Sequence, residues 1–293
     1  MVKRLSKPPL VERMASGLKP AIALIDAKRF ADAREFVADF LEKNPKHVIG
    51  HAVLIRIHGL LGEADASWHL FNYCRHAGME CADIYCAMVD AYATCGEFQK
   101  ALEIMAEAAG NGMDDIRSYV SYMSGLYLHG KYREIEVFHS SIPQKHREKA
   151  PIMVKYADAL RKMKRYGEAV DIATTARNMR GALGNRTMAI IVIAYCEMER
   201  GNPGKAYAML NEIYIRLSER EDGGSGFRFF PRLLCGMVFA CKGGGIPQPE
   251  SRIDEWRRQL SGMMEAGRGK TSGVENALAQ LDEMPRACRQ AVI

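Results

Sequence analysis

A recurring segment constrains this chain more than any other feature. "AKRFADAREFV", "LGEADASWHLF", "CGEFQKALEIM", "HGKYREIEVFH", "MKRYGEAVDIA" and "RGNPGKAYAML" echo one another, and aligning them on Ala33, Ser67, Ala101, Ile135, Ala169 and Ala206 gives steps of 34, 34, 34, 34 and 37 residues. Five residues before each aligned position stand Lys28, Gly62, Gly96, Gly130, Lys164 and Gly201. A chain leaving a helix and reversing there needs a positive φ, which glycine adopts without a Cβ penalty. An aromatic often follows two residues later, as Phe30, Phe98, Tyr132 and Tyr166, placed to pack across the turn. The aligned small residue falls where the second helix crosses the first, and close approach there favours a small side chain. A period of this length with helical patterning on both sides of a turn predicts stacked helix pairs, hence an all-α fold.

The spacing and the Gly, aromatic and Ala positions resemble the tetratricopeptide repeat over residues 14–220. The resemblance implies a right-handed α-solenoid of about six helix pairs, and about 14 helices once a C-terminal helical cap is added. The copies are degenerate. None has the family's early tryptophan, and only the first ends in proline, Pro45. The copy around Ile135 replaces the small residue and carries His139 where an apolar residue is usual. Pro143 should end its second helix early, making residues 139–150 the weakest part of the stack. "RNMRGALGNR", residues 177–186, holds the insertion that lengthens the last step. Residues 1–13 read as a tail, 221–266 as a pair of capping helices after the loop "EDGGSG", and 267–293 as a linker and terminal helix. The stripe Val274, Ala277, Leu278 and Leu281 on that helix either packs on the cap or docks a partner.

Chemistry has no visible carrier. With 48% hydrophobic and 26% charged residues the chain reads as a folded protein. "MVKRLSKPPL" lacks the apolar run of a signal peptide and no segment approaches a membrane span, so a cytoplasmic location is expected. Eight cysteines are scattered without a C-x-x-C pair, which predicts reduced, buried thiols and no zinc site. "GRGKTSG" imitates a phosphate loop, but Met264 stands where its first glycine is needed. His47 and His51 stand at helical spacing, and His51 and His58 two turns apart, without an H-E-x-x-H pattern; His47 falls in the turn after Pro45, and His51 and His58 read as helix-interface residues. No serine sits in a G-x-S-x-G context. The reading is therefore non-enzymatic, with no catalytic residue, metal or cofactor.

In tetratricopeptide-like proteins the first helix of each pair lines a concave groove, so the resemblance implies a partner-binding surface at matched positions. One row is apolar: Ala52, Cys86, Val120, Val154 and Ile191. Beside it run Arg56, Asp90, Ser124, Asp158 and Tyr195, then Gly59, Ala93, Tyr127, Arg161 and Met198, with Arg117 nearby. An apolar floor with charged edges suits an apolar helical or extended segment of a partner protein, although the same stripe also serves helix packing. These rows contain no asparagine, which argues against the clamp that grips acidic chaperone tails. The expected function is a protein-interaction scaffold, of which a secretion-type chaperone and an assembly or regulatory factor are examples. The alternative is single-stranded RNA binding, because Gly78 with Met79 and Gly112 with Met113 also resemble the pentatricopeptide repeat. Ala52, Cys86, Val120 and Val154 offer no hydrogen bond to a base edge, and the net charge of +6 is spread along the chain.

Overall fold

A computed structural model describes residues 16–181, 183–218, 230–246, 248, 250–265 and 272–283, and every regular element in them is helical. The tail 1–13, the loop 221–226 and linker residues 267–271 lie outside the described residues. The chain divides into two compact units, Met1–His129 and Gly130–Ile293.

In the first unit a 3-10 turn, Ser16–Leu18, leads into α1 (Lys19–Asp26), α2 (Phe30–Lys43), α3 (Val48–Leu60), α4 (Ala64–His76), α5 (Ala82–Cys95), α6 (Phe98–Gly110) and α7 (Ile116–Leu128). The second unit holds α8 (Tyr132–Ser141), α9 (Gln144–Arg147), α10 (Ala150–Lys162), α11 (Tyr166–Asn178), α12 (Leu183–Glu199), α13 (Pro203–Ser218), α14 (Phe230–Gly244), α15 (Glu250–Glu265) and α16 (Ser272–Glu283). The 16 α-helices among the described residues exceed the expected 14 or so. Part of the surplus is the single turn α9, which Pro143 separates from α8.

Each first helix ends on one residue in the left-handed region: Lys28, Gly62, Gly96, Gly130, Lys164, Gly201 and Gly245, with φ between 55° and 83°. In six of these turns the next residue's N–H reaches back over the bend to a carbonyl of the helix, as in Glu63 to His58 at 2.8 Å and Arg165 to Leu160 at 3.0 Å. Carbonyls that the helix end would leave unpaired are satisfied this way. The second helix then starts in a fixed direction. Ala33, Ser67, Ala101, Ile135, Ala169 and Ala206 are all fully buried. Ser67 keeps its hydroxyl satisfied by donating to the Ile55 carbonyl at 3.0 Å.

Packing runs between partners of a pair and between successive first helices. In the first unit α3 lies against α5, and α5 against α7; in the second, α10 lies against α12 and α12 against α14. The first-unit contacts are backbone-close. A Cβ added to Gly59 would sit 2.5 Å from Ala91 Cα, and one added to Gly125 would sit 2.5 Å from the Ala93 carbonyl oxygen. Both are closer than a carbon atom can approach. The C-terminal pair α14–α15 buries Leu233, Leu234, Met237, Val238, Ile253, Trp256 and Leu260. Helix α16 packs on α14 and α15 through Val274, Ala277 and Leu281, so its stripe is core. No helix among the described residues is long and apolar enough to cross a membrane.

The turn geometry yields a mutational expectation. Nothing lies within 4 Å of a Cβ added at Gly62, so Gly62→Ala isolates the backbone penalty and should destabilise by about 1 kcal/mol, whereas Lys164→Gly relieves the same strain and should stabilise by up to about 1 kcal/mol. Paired thermal melts test both signs. Residues 139–150 carry a second expectation. Helix α8 buries only Ile135, α9 buries nothing, and only Ile142 between them is buried. Segments with so few buried contacts open most readily, so amide hydrogen exchange should be faster in 139–150 than in α5 or α12; equal protection would refute this.

Candidate functional site

The 34-residue step places equivalent side chains of neighbouring first helices side by side, and in the first unit the polar ones pair across that gap. Arg56 Nε of α3 meets the Asp90 carboxylate of α5 at 2.6 Å. Arg117, at the start of α7, reaches Asp83 of α5 at 2.5 Å and its neighbour Asp115 at 2.7 Å. Asp115 also caps α7 by accepting from the Arg117 N–H at 2.8 Å, a placement that favours a carboxylate over the helix N-terminus. Its hydrogen bonds to the Asp115 and Asp83 carboxylates raise the Arg117 guanidinium pKa further above its already high value. Between these pairs Cys86 Sγ lies 3.1 Å from Ser118 Oγ, and burial pushes the Cys86 thiol up to about 11. A thiol so shifted stays protonated and is a poor nucleophile.

The second unit repeats the device in a drier setting. Asp158 of α10 is buried and receives both terminal nitrogens of Arg232 from α14 at 2.8 Å each. Arg161 donates to the same carboxylate at 3.0 Å and to Glu199 of α12 at 2.7 Å. Both guanidiniums also stand 5.3 Å from the centroid of the Tyr195 ring of α12, and its hydroxyl donates to the Arg232 carbonyl at 2.9 Å. Burial alone would raise the Asp158 pKa, but Arg232 and then Arg161 overcome it and hold the carboxyl well below the usual carboxylate range. Planar bidentate pairing and stacking on an aromatic face are what arginine supplies and lysine does not. Burial pushes the Tyr195 phenol above its ordinary value.

The residues expected to line a groove thus separate into two groups. Ala52, Cys86, Val154 and Ile191 are buried, and Val154 and Ile191 belong to apolar cores of the second unit. These four act as packing and present no apolar strip to solvent. Val120 and Tyr127 of α7 are half-buried, and Arg56 is exposed. Arg56 with Asp90, Arg117, and Asp158 with Arg161 and Tyr195 form the interhelical links just described. Sequence reasoning did not find Asp83, Ser118, Glu199 or Arg232. The signal for Arg232 is its place in the first turn of α14, where a cation opposes the helix dipole unless a carboxylate compensates it.

His51 is buried with Nε2 2.8 Å from the Pro45 carbonyl, His58 pairs with Glu63 at 2.6 Å, and His47 caps α3 by accepting from the Gly50 N–H. No group of His, Cys, Asp and Glu side chains able to hold a metal ion occurs among the described residues, nor does any of their cysteines form a disulfide.

This architecture is that of a helical-repeat protein. No protein-family model matches the chain, and no curated protein matches it. Among solved structures, a chain of the Naa15/Naa10 assembly bound to HypK-THB matches at a TM-score of 0.33 and 14% identity, over 93% of this chain. The protein described here spans 39% of the length of that chain.

The Asp158 cluster has a pH signature. A carboxyl whose folded pKa lies below its unfolded value contributes stability that is fully present above about pH 4 and is lost as the pH falls further. Asp158→Asn leaves two guanidiniums without their shared anion, so it should destabilise by about 3–5 kcal/mol at pH 7. It should also flatten the loss of stability between pH 4 and pH 3; melting curves at pH 7, 4 and 3 for both proteins check the sign.

Proposed function

We propose that the protein is a non-enzymatic scaffold, a right-handed α-solenoid of tetratricopeptide-like pairs that binds an amphipathic segment of a partner protein along its first helices. One observation carries this reading: neighbouring first helices are braced at one-repeat spacing by ion pairs whose arginines retain access to solvent. The Arg56 side chain is 44% exposed and that of Arg117 is 34% exposed. Such braces hold a firm surface in place, and a preorganised surface loses little entropy when a partner docks. The apolar contribution in the first unit falls to Val120 and Tyr127 of α7, since Ala52 and Cys86 are spent on packing. Charged groups around such contacts set orientation and partner choice more than affinity. The partner's identity would separate a secretion-type chaperone, which shields a segment before export, from an assembly factor.

The experiment is affinity capture from the native cell with the wild-type chain, Val120→Glu and Arg56→Glu, after circular dichroism has established that both variants keep their helicity and melting temperature. Val120→Glu should abolish capture of the specific partner, and Arg56→Glu should weaken it by about fivefold to tenfold, in line with loss of one charged interface contact. Full retention by a folded Val120→Glu protein overturns the reading. Nucleic acid that co-purifies and is released by raised salt would favour the RNA-binding alternative instead.

A further inference from the structure

A cleft of about 290 Å³ opens in the first unit among α4, α5 and α6, lined by Asp65, Trp68, Tyr92, Lys100, Glu103 and Ile104. It shares no residue with the ion-paired rows. The Trp68 and Tyr92 rings form its aromatic side, with centroids 6.4 Å apart and planes inclined by 30°. Asp65 and Glu103 are exposed carboxylates beside them. Asp65 takes part in no ion pair among the described residues, and Glu103 receives one hydrogen bond, from Gln99 at 3.2 Å. The cleft already holds a cation of its own: Lys100 Nζ stands 5.6 Å from the Tyr92 ring centroid and 3.4 Å from Glu97. The Lys100 side chain is 49% exposed, so its contacts with Glu97 and Tyr92 are surface ones that hold it weakly. Burial first, then the negative charges of Glu97, Asp65 and Glu103, raise the Tyr92 phenol above its ordinary pKa.

Aromatic faces flanked by carboxylates attract ammonium groups through the ring quadrupole and through charge. We propose that this cleft binds the side-chain ammonium of a lysine, methylated or not, presented by a partner protein, with Lys100 as a resident stand-in that the guest displaces. The proposal goes beyond the scaffold reading and rests on other residues, so either can fail alone.

The chain contains two tryptophans, and Trp256 is fully buried, which makes it an internal control. The indole N–H resonance of Trp68 is followed in the full chain by NMR during titration with N-acetyl-lysine methylamide, its trimethyl-lysine counterpart, the neutral norleucine analogue, and choline. The lysine probes should shift Trp68 saturably while Trp256 stays still and the norleucine analogue has no effect. Lys100→Ala removes the competing cation and should tighten binding by about threefold or more. Asp65→Asn with Glu103→Gln should weaken it by a similar factor. An equal shift with norleucine, or no saturable shift even in Lys100→Ala, overturns the proposal. Saturation by choline alone also overturns it, because the guest is then a free quaternary ammonium compound.

Discussion

Everything in this protein depends on one backbone conformation, the left-handed residue that ends each first helix. At that point the chain cannot continue the helix, and in six of the seven turns the next N–H is bonded back to a helix carbonyl, as between Asn202 and Glu197 at 2.8 Å. The reversal directs the second helix onto the first and brings Ala33, Ala101, Ala169 and Ala206 into full burial. Two of the positions are lysine instead of glycine, with φ of 55° at Lys28 and 63° at Lys164. A non-glycine residue in that region is strained. That the bend survives there shows packing of the pair to be strong enough to impose it.

With the pairs so defined, successive first helices meet along their length, and what they place at the contact follows from the distance available. In the first unit Gly59 and Gly125 let α3 and α7 approach the α5 backbone. Helices this close leave room for short side chains at the centre, and Cys86 and Ser118 occupy it. Longer polar side chains are driven to the margins, where Arg56 meets Asp90 and Arg117 meets Asp83. The Arg56–Asp90 pair, open to solvent at its arginine, contributes little stability, whereas Asp83 is buried and needs its partner. The shared consequence of the two pairs is geometric, because a charge fixed at both ends holds two helices in register.

The second unit places its charges deeper. Asp158 and Arg161 are each about 5% exposed, and the cluster is tolerable only because the carboxylate is matched by two guanidiniums, both of which also stand against the Tyr195 ring. Replacing a buried ion pair with apolar side chains often stabilises a protein, whereas removing one partner is severely destabilising. Such a cluster therefore specifies which helices come together, α10 with α14 across α12, more than it adds to net stability.

Most of the architecture was legible in the chain itself. The constant step located all six expected turns, the small residues marked the helix crossings, and Pro143 shortened the helix before it to ten residues, Tyr132–Ser141. These are local constraints: positive φ, a missing Cβ and a missing N–H act on the residue that carries them, so the amino acid alone reveals them. Tertiary structure decided the rest. An apolar residue at a repeated position looks the same whether it faces solvent or a neighbouring helix, and only the assembled first helices show that Ala52, Cys86, Val154 and Ile191 are packed away. Arg232 finds Asp158 across 74 residues, and Trp68 joins Tyr92 and Lys100 from three different helices. Nothing at those positions announces a partner, because partnership at that range is set by where whole helices come to lie, and that depends on every contact at once.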